Sequence, residues 1–239
     1  MQISAYPFPA ALTEKQFFQK TVIVVDVLRA TTSMLTALEN GAAQIVPVRE
    51  PEEAMQLVAK LGRGECLLAG ERGGLKINGF DFGNSPLEFL TGAAAGKTLV
   101  FCTTNGTGAI YAARTAKTVL IGCLRNRLAV ACAAAETGDD IVLLCAGTQG
   151  EASMDDMVAV GGIYRALQLS AGQQQVEAND FARVCGHMYD LFVEGKSELA
   201  ITRHYAALQS LGFSQDLTFC FMQDQSDGVP VYENGSIRM

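Results

Sequence analysis

The chain has 239 residues, 49% of them hydrophobic, and a formal net charge of −7. This length fits one large domain. The excess of acidic over basic residues argues against a nucleic-acid partner, which requires a basic surface. No apolar run approaches the about 18–20 residues of a membrane span, and the first residues lack the basic and apolar regions of a signal peptide. We therefore expect no nucleic acid, no membrane contact and a cytoplasmic location.

Three strand–loop–helix units recur along the chain, each beginning with a short run of apolar and β-branched residues. The runs are Thr21–Val25, Thr98–Cys102 and Ile141–Cys145, and the helices that follow are predicted at about residues 33–40, 109–116 and 154–169. Such strands are typical of a sheet covered on both faces. The alternation predicts a layered α/β fold, with mainly parallel strands and helices on both faces. An internal duplication would also produce this repetition.

Shorter elements are predicted between and after these units. The strands are Gln44–Val48, residues 66–69 and residues 118–121; the helices are Pro51–Leu61 and residues 126–136, 179–189 and 197–211; residues 229–235 form a closing strand and turn. No linker interrupts the pattern, so we expect a single domain over residues 1–239.

Seven cysteines are scattered along the chain and form no Cys-x-x-Cys pair. A zinc site built on thiolates is therefore not expected. Most of the cysteines lie within apolar stretches, which is typical of buried thiols in a reducing compartment.

Residues 70–86 form the most informative segment, because they combine five glycines, one proline and several charged side chains. Glycine allows positive φ and a close approach of the backbone to a ligand, so such a loop can hold N–H groups around a small anion. An ordinary surface loop is the alternative. Polar segments of similar chemistry after two other strands favour ligand binding.

Polar side chains follow several predicted strands, and ligands of open α/β sheets bind at the carboxyl ends of strands. The side chains are Asp26, Arg29, Thr31, Thr32, Thr104, Asn105, Thr107, Glu151, Asp155 and Asp156, with Glu71, Arg72 and Lys76 in the glycine-rich segment. Carboxylates suit Mg²⁺, while arginine suits phosphate. Together these positions predict phosphate chemistry.

Two familiar nucleotide-binding motifs are incomplete in this chain. Residues 92–98 resemble a P-loop, but Thr91 stands where glycine is needed and the segment precedes a strand. Residues 106–108 follow a strand as a dinucleotide loop would, yet Tyr111 fills the third glycine position. The paired aspartates of many phosphohydrolases are also missing, because Leu28 fills the second place.

The two histidines, His187 and His204, lie on predicted helices. A helical histidine is usually a hydrogen-bonded structural residue, but His204 is also a candidate proton donor, since imidazole titrates near neutral pH. Asp26 directly ends a β-branched strand, which is a usual place for a metal ligand or nucleophile. A helix N-cap is the alternative role for Asp26.

Several segments, in order along the chain, resemble the signatures of the 2-phosphosulfolactate phosphatases. They are residues 24–32, residues 70–76 with 79–86, residues 103–107, and residues 145–148 with Gly150, Glu151, Asp155 and Asp156. The tail from Arg203-His204 through Gly212-Phe213 to Asp216 and Phe219-Cys220 also fits. One departure is that Tyr205 and Ala206 stand where the family often has glycine and arginine, which puts a substrate role for the His204 segment in doubt.

The resemblance implies a magnesium-dependent phosphatase that cleaves 2-phospho-3-sulfolactate into 3-sulfolactate and phosphate. In methanogens this step leads to coenzyme M. The substrate would be a small, strongly anionic phosphorylated acid, and Mg²⁺ would be the cofactor. A homo-oligomer is compatible with the sequence.

Asp26, Arg29, Glu71 and Arg72 are the predicted catalytic residues. Asp26 and Glu71, with Asp156 as a third carboxylate, are predicted to bind Mg²⁺ because all three follow predicted strands. Arg29 lies three residues after Asp26 and is assigned to phosphate, whereas Arg72 is assigned to either end of the substrate.

The predicted substrate-binding residues share hydroxyl, amide, backbone N–H or ammonium donors. They are Thr31, Lys76, Thr104, Asn105, Gly106 and Thr107. Asn-Gly readily forms a positive-φ turn, so residues 104–107 are predicted to cradle phosphate. Lys76 is assigned to the sulfonate or carboxylate, because it lies further along the glycine-rich segment.

A non-catalytic binding protein for a phosphorylated or sulfonated small acid is the alternative function. The carboxylates discriminate between the two functions, because Asp26, Glu71 and Asp156 would repel an anion unless a metal neutralised them. The carboxylates therefore favour the enzyme.

Overall fold

Eleven strands form one sheet in the computed structural model, which describes residues 1–171 and 176–239. The strands are β1 (Gln2–Tyr6), β2 (Thr21–Val25), β3 (Gln44–Val48), β4 (Cys66–Arg72), β5 (Leu75–Lys76), β6 (Thr98–Cys102), β7 (Thr118–Gly122), β8 (Ile141–Cys145), β9 (Glu177–Ala178), β10 (Val231–Glu233) and β11 (Ser236–Arg238). The α-helices of the described residues are α1 (Glu14–Phe17), α2 (Ala30–Glu39), α3 (Pro51–Leu61), α4 (Gly106–Ala112), α5 (Arg127–Glu136), α6 (Met154–Ser170), α7 (Asp180–Val193), α8 (Arg203–Ser210) and α9 (Ser214–Cys220).

The sheet consists of two groups of parallel strands joined by the C-terminal hairpin. The strand order is β5-β4-β6-β3-β11-β10-β7-β2-β8-β1-β9. Strands β4, β6 and β3 run parallel to one another, as do β7, β2, β8, β1 and β9. The hairpin β10–β11 pairs antiparallel with β7 on one side and with β3 on the other. The prediction of a mainly parallel α/β sheet is confirmed.

Helices cover both faces of the sheet because its central strands are apolar on both sides. In β2, Ile23 and Val25 belong to the core under α5, α6 and α7, whereas Val22 and Val24 belong to the core under α2 and α4. All five residues of β2 are buried. This two-sided burial is what the β-branched run of Thr21–Val25 predicts.

Helices α2 and α4 bring the two strand groups together at one place. Helix α2 contacts both β7 and β3, and α4 contacts both β3 and β2. Helix α2 begins just after β2 and α4 just after β6, so loops from both groups meet where these helices begin. This meeting point positions the candidate site.

Several predicted bounds differ from the observed elements. Strand β4 runs on to Arg72 instead of ending at residue 69, and α4 begins at Gly106 instead of residue 109. Strands β1, β5, β9 and β11 and helices α1 and α9 were not predicted. All seven cysteines lie in the described residues; six of them are buried and none forms a disulfide. No described helix combines the length and apolar character that crossing a membrane requires.

Candidate active site

A cavity of about 240 Å³ opens where the strand ends of both groups meet. Asp26 follows β2, Glu71 lies near the end of β4, Thr104 follows β6 and Thr148 follows β8, and all four line it. Helix α8 supplies the opposite wall, with Arg203 and His204 beside the apolar Ala207, Leu208 and Leu211. The cavity is therefore polar and charged on the side of the sheet and partly apolar on the side of α8.

Asp26 is held rigidly at the end of β2. Its backbone N–H donates to Thr31 Oγ1 at 3.1 Å, and the Thr31 hydroxyl and N–H both donate to the Asp26 carbonyl. Ala30 N–H donates to Asp26 Oδ1 at 3.3 Å. Within the described residues Oδ2 accepts no hydrogen bond, although the side chain is buried. Thr31 therefore fixes Asp26 and is not itself part of the cavity lining.

The environment of Asp26 disfavours its charged form. Burial raises its pKa from 3.8 to about 6, and the nearby charges of Glu71 and Asp155 act in the same direction. His204 and the hydrogen bond from Ala30 oppose the rise. A cation placed at this carboxylate would favour its ionised form and relieve the cost of burying the charge.

Gly106 allows helix α4 to begin directly against Asp26. A Cβ atom at position 106 would lie 2.7 Å from Asp26 Oδ2 and 2.6 Å from Ala30 Cβ. Both distances are shorter than van der Waals contact, so any larger residue would displace the carboxylate or the helix. Glycine is therefore required here for the approach of the two strand groups.

Glu71 joins the glycine-rich hairpin to the loop after β6. Gly73 and Gly74, with φ of 61° and 84°, form the two-residue turn between β4 and β5. Gly74 N–H donates to Glu71 Oε2 at 2.8 Å, and Thr104 N–H donates to Oε1 at 2.8 Å. At Gly74 a Cβ would lie 2.9 Å from Leu211 Cδ1, so glycine also permits the close packing of α8.

Arg29 is a fully buried cation that lines the cavity. Its Nη1 donates to Asp216 Oδ2 at 2.6 Å and its Nη2 donates to the Gly74 carbonyl at 2.6 Å. The guanidinium carbon lies 4.0 Å from the centre of the Phe213 ring. The peptide bond between Leu28 and Arg29 is cis. A guanidinium has five N–H donors, so Arg29 retains donors for a ligand.

His204 and Asp155 form a hydrogen-bonded pair at the wall of the cavity. His204 Nδ1 lies 3.0 Å from Asp155 Oδ2 and 3.4 Å from Thr148 Oγ1. The Ser153 hydroxyl donates to the other oxygen of Asp155. Burial lowers the pKa of His204, but the hydrogen bond to Asp155 and the negative charges of Asp155, Asp26 and Glu71 outweigh it, and the net pKa is raised.

Arg203 and Asn84 also line the cavity, and the sequence-based assignment did not include either in the site. Arg203 Nη2 pairs with Glu151 Oε2 at 2.7 Å, and the two side chains are 67% and 69% exposed. Asn84 is only 5% exposed, and its Oδ1 is buried without a hydrogen-bond partner in the described structure. Asn84 belongs to the glycine-rich segment of residues 70–86, and this membership was the sequence signal that could have placed it in the site.

Two of the predicted cations lie outside the cavity. Arg72 follows Glu71 on β4 and therefore points to the other side of the strand, where it donates to the Glu71 and Arg49 carbonyls at 3.0 and 2.8 Å. Lys76 is exposed on β5, with Nζ 3.5 Å from the Asp81 carbonyl.

Asp156 connects two loops through backbone hydrogen bonds. Its Oδ1 accepts from Val27 N–H at 2.9 Å and its Oδ2 accepts from Gly147 N–H at 3.0 Å. Burial raises its pKa well above 3.8, and Asp155 and Asp26 add to the rise. Asp156 does not line the cavity. Its two oxygens face the loops after β2 and β8 instead.

The predicted phosphate cradle is divided between the cavity and the core. Thr104 and Asn105 line the cavity, whereas Gly106 and Thr107 are buried and do not. The Thr107 N–H donates to Thr103 Oγ1 at 3.2 Å. Asn105 Oδ1 accepts from Gln149 N–H at 3.2 Å, which links the loops after β6 and β8.

The carboxylates fit a magnesium ion that keeps much of its water. Among residues 1–171 and 176–239 no group of three or more His, Cys, Asp or Glu side chains forms a metal-binding cluster. Mg²⁺ is commonly held by one or two carboxylates together with water and substrate phosphate. Asp26, with its free Oδ2, and Glu71 supply two carboxylates to one cavity.

The model of the 2-phosphosulpholactate phosphatase family matches residues 7–235. The chain belongs to this family. The motif resemblance found in the sequence is therefore confirmed, and the chain is an enzyme of the phosphatase class.

Relatives in the family are similar over nearly their whole length. A protein of Caldanaerobacter subterraneus subsp. tengcongensis is 38% identical over 239 residues, covering 100% of this chain and 98% of the relative. Proteins of Clostridium acetobutylicum and Clostridium tetani are 39% and 40% identical, each covering 95% of both chains. All three are named probable 2-phosphosulfolactate phosphatase.

Proposed function

We propose that this enzyme hydrolyses 2-phospho-3-sulfolactate to 3-sulfolactate and phosphate with the help of Mg²⁺. The name of its relatives supports the substrate. The observation that carries the proposal is one cavity lined by the carboxylates of Asp26 and Glu71 together with the guanidinium groups of Arg29 and Arg203. Paired carboxylates suit a metal, and arginines suit phosphate and other oxyanions.

The two arginines provide the local positive charge that an acidic protein needs in order to bind an acid with three anionic groups. Arg29 is held in place by Asp216 and Gly74, so its remaining N–H donors are preorganised. Arg203 is exposed, and its pair with Glu151 is of the kind that contributes little to stability. Arg203 is therefore free to exchange Glu151 for an anionic ligand.

Asp26 and Glu71 are the residues we assign to Mg²⁺. When bound there, the ion would neutralise phosphoryl charge and lower the pKa of a bound water. The Ala30 and Thr31 contacts fix Asp26, and the Gly74 and Thr104 amides fix Glu71. We assign Asp156 to holding the two loops, because it does not line the cavity, unlike Glu71, and its oxygens accept the backbone N–H groups of Val27 and Gly147.

Within this proposal Arg29 binds the phosphate, since it lies on the same loop as Asp26. Arg203, at the other side of the cavity on α8, binds the sulfonate or carboxylate. The buried amide of Asn84 lines the same cavity, and its amino group can donate to an anionic ligand, whereas its Oδ1, which has no partner in the described structure, can only accept from water or another donor. Lys76 has no place in this division, because it lies outside the cavity.

A non-catalytic anion-binding protein is the second candidate, and the buried carboxylate argues against it. The pKa of Asp26 is raised to about 6 by burial, so at neutral pH the fold maintains a charge that opposes anion binding. An enzyme gains from that carboxylate once a metal is bound, whereas a simple binder does not.

Phosphate release from 2-phospho-3-sulfolactate tests the proposal. The purified enzyme should release phosphate and 3-sulfolactate in equal amounts, EDTA should stop the reaction, and added Mg²⁺ should restore it. Calorimetric binding of the intact substrate with no phosphate release in the presence of Mg²⁺ would instead support the binding protein.

We also propose that the enzyme works in the cytoplasm, which is supported by seven cysteines without a disulfide among them. Fractionation of the native cells should recover the activity with cytoplasmic marker enzymes. Recovery in an extracellular or membrane fraction would contradict this location.

A further inference from the structure

We propose that His204 is the general acid of the reaction, protonating the oxygen that leaves phosphorus, and that Asp155 is its positioning residue. The inference rests on the proposed phosphatase function and adds a catalytic residue to it. Neither residue belongs to the carboxylate pair assigned to the metal.

The geometry leaves one ring nitrogen of His204, Nε2, free to contact a ligand. Nδ1 is engaged by Asp155 Oδ2 at 3.0 Å and faces Thr148 Oγ1 at 3.4 Å. Nε2 has no hydrogen-bond partner among the described residues, while the side chain lines the cavity that also contains Asp26 and Glu71. A carboxylate that accepts from Nδ1–H fixes the ring and directs Nε2–H to the ligand.

Asp155 is itself built into the core. It is buried at the start of α6, and the Ser153 hydroxyl donates to the oxygen that His204 does not use. Asp155 therefore has little freedom to reorient. The hydrogen bond to Asp155 therefore also fixes the ring of His204, although α8 lies at the edge of the cavity.

Charges from four elements face His204. Asp155 comes from α6, Asp26 from the loop after β2 and Glu71 from β4, and the cations of the cavity are Arg29 and Arg203. Asp155, which is not assigned to the metal, favours imidazolium in the Mg²⁺-bound enzyme as well, whereas Asp26 and Glu71 favour it only while no metal neutralises their charges. Burial opposes this, and the carboxylates prevail in the raised pKa.

The proposed step is a proton transfer coupled to cleavage of the ester. The bond between phosphorus and the ester oxygen on C2 breaks, and its electron pair stays on that oxygen. The Nε2–H proton passes to the same oxygen. Water supplies the oxygen that bonds to phosphorus, so His204 becomes neutral imidazole and the phosphate forms as dihydrogen phosphate. This phosphate, before it leaves, or the solvent then returns one proton to Nε2, and the net products are 3-sulfolactate and hydrogen phosphate. A secondary alkoxide is a poor leaving group, so a proton donor contributes substantially to the rate.

The test uses His204→Asn, Asp155→Asn and the matched control His187→Asn, since His187 is the other histidine of the chain and is exposed. The constants kcat and KM for 2-phospho-3-sulfolactate are measured from pH 5 to 9 with saturating Mg²⁺. For the wild type and His187→Asn, kcat should fall as pH rises through the pKa of the acid. In His204→Asn, kcat should drop about 100-fold or more with little change in KM, and the basic limb should disappear.

Asp155→Asn separates positioning from general structural damage. Loss of the carboxylate should lower kcat and move the basic limb to lower pH, because Asp155 raises the pKa of His204. If circular dichroism shows that His204→Asn does not fold, this shift alone decides the matter. The inference is overturned if the basic limb of the pH profile stays in place in Asp155→Asn. It is also overturned if His204→Asn keeps the basic limb, or if only its KM changes while kcat stays at the wild-type value.

The outcome also distinguishes this inference from the proposed function. A wild-type enzyme that releases no phosphate from the substrate contradicts the proposed function. A wild-type enzyme that is active while His204→Asn is equally active contradicts only the role of His204.

Discussion

Arg29 and Asp216 form a buried ion pair between the first loop of the site and the C-terminal region. Arg29 Nη1 lies 2.6 Å from Asp216 Oδ2, and the two side chains are 1% and 3% exposed. The Ser85 hydroxyl donates to the other oxygen of Asp216 at 2.7 Å. Three distant parts of the sequence are thereby fixed around one guanidinium, so the position of Arg29 in the cavity depends on the start of α9.

Removal of the Asp216 charge should leave a buried guanidinium without its counter-ion. We expect Asp216→Asn to lower the free energy of unfolding by about 3 kcal/mol, within the range found for breaking buried pairs. Urea denaturation measures this change, and the exposed Asp227→Asn is the control. Equal stability of the two variants would mean that the pair does not hold the loop.

Asp26 should make the metal-free protein less stable as the pH rises. Its folded pKa of about 6 lies above the unfolded value of 3.8, so its favourable contribution is complete below about pH 4 and is lost as the pH rises through 6. A difference of about two units corresponds to about 3 kcal/mol. In EDTA, Asp26→Asn should therefore lose less stability than the wild type between pH 4 and 7, as measured by denaturant unfolding. Parallel stability curves would contradict the raised pKa.

Arg203 and Lys76 should differ in their effect on substrate recognition. Arg203→Ala should raise KM about tenfold and weaken the preference for 2-phosphosulfolactate over 2-phospholactate, because a charge-assisted contact to the sulfonate or carboxylate is lost. Lys76→Ala removes a cation outside the cavity and serves as the matched control. Steady-state kinetics on both substrates decides the matter. The reverse pattern, with Lys76→Ala losing the preference, would place the sulfonate near β5.

The sequence was sufficient to predict the strands in the centre of each parallel group. Thr21–Val25 and Thr98–Cys102 have the predicted bounds, because apolar and β-branched residues buried on both sides leave few alternatives. The hairpin β10–β11 was harder, since its strands have three residues each and carry polar side chains. Its place between the two parallel groups depends on tertiary pairing with β7 and β3, which no local pattern encodes.

The sequence also indicated part of the site, because the ends of strands predict where ligands bind. Asp26 and Glu71 do line one cavity. Arg72 lies on the other side of β4 because the strand continues through both residues, and adjacent side chains in a strand point to opposite faces. Arg203 and His204 reach the cavity only through the docking of α8, so their proximity to Asp26 could not be derived from spacing.

Asp156 and Asp26 should respond differently when their charges are removed. Asp156→Asn replaces one acceptor of a backbone N–H by an amide that cannot accept, so we expect a loss of stability of about 1–3 kcal/mol. Its Mg²⁺ affinity, measured by calorimetry on folded protein, should stay near the wild-type value, whereas Asp26→Asn should bind Mg²⁺ much more weakly. A loss of Mg²⁺ affinity in both variants would return Asp156 to the metal site.

The most direct test of the account is the rate of phosphate release by Asp26→Asn in saturating Mg²⁺. Asparagine keeps the size of the side chain and an oxygen for the Ala30 N–H, but removes the charge that would hold the ion. We expect a fall in kcat of about 1,000-fold, comparable with the loss of a major electrostatic contact in an active site. Wild-type turnover of 2-phospho-3-sulfolactate by a folded Asp26→Asn enzyme would contradict the account.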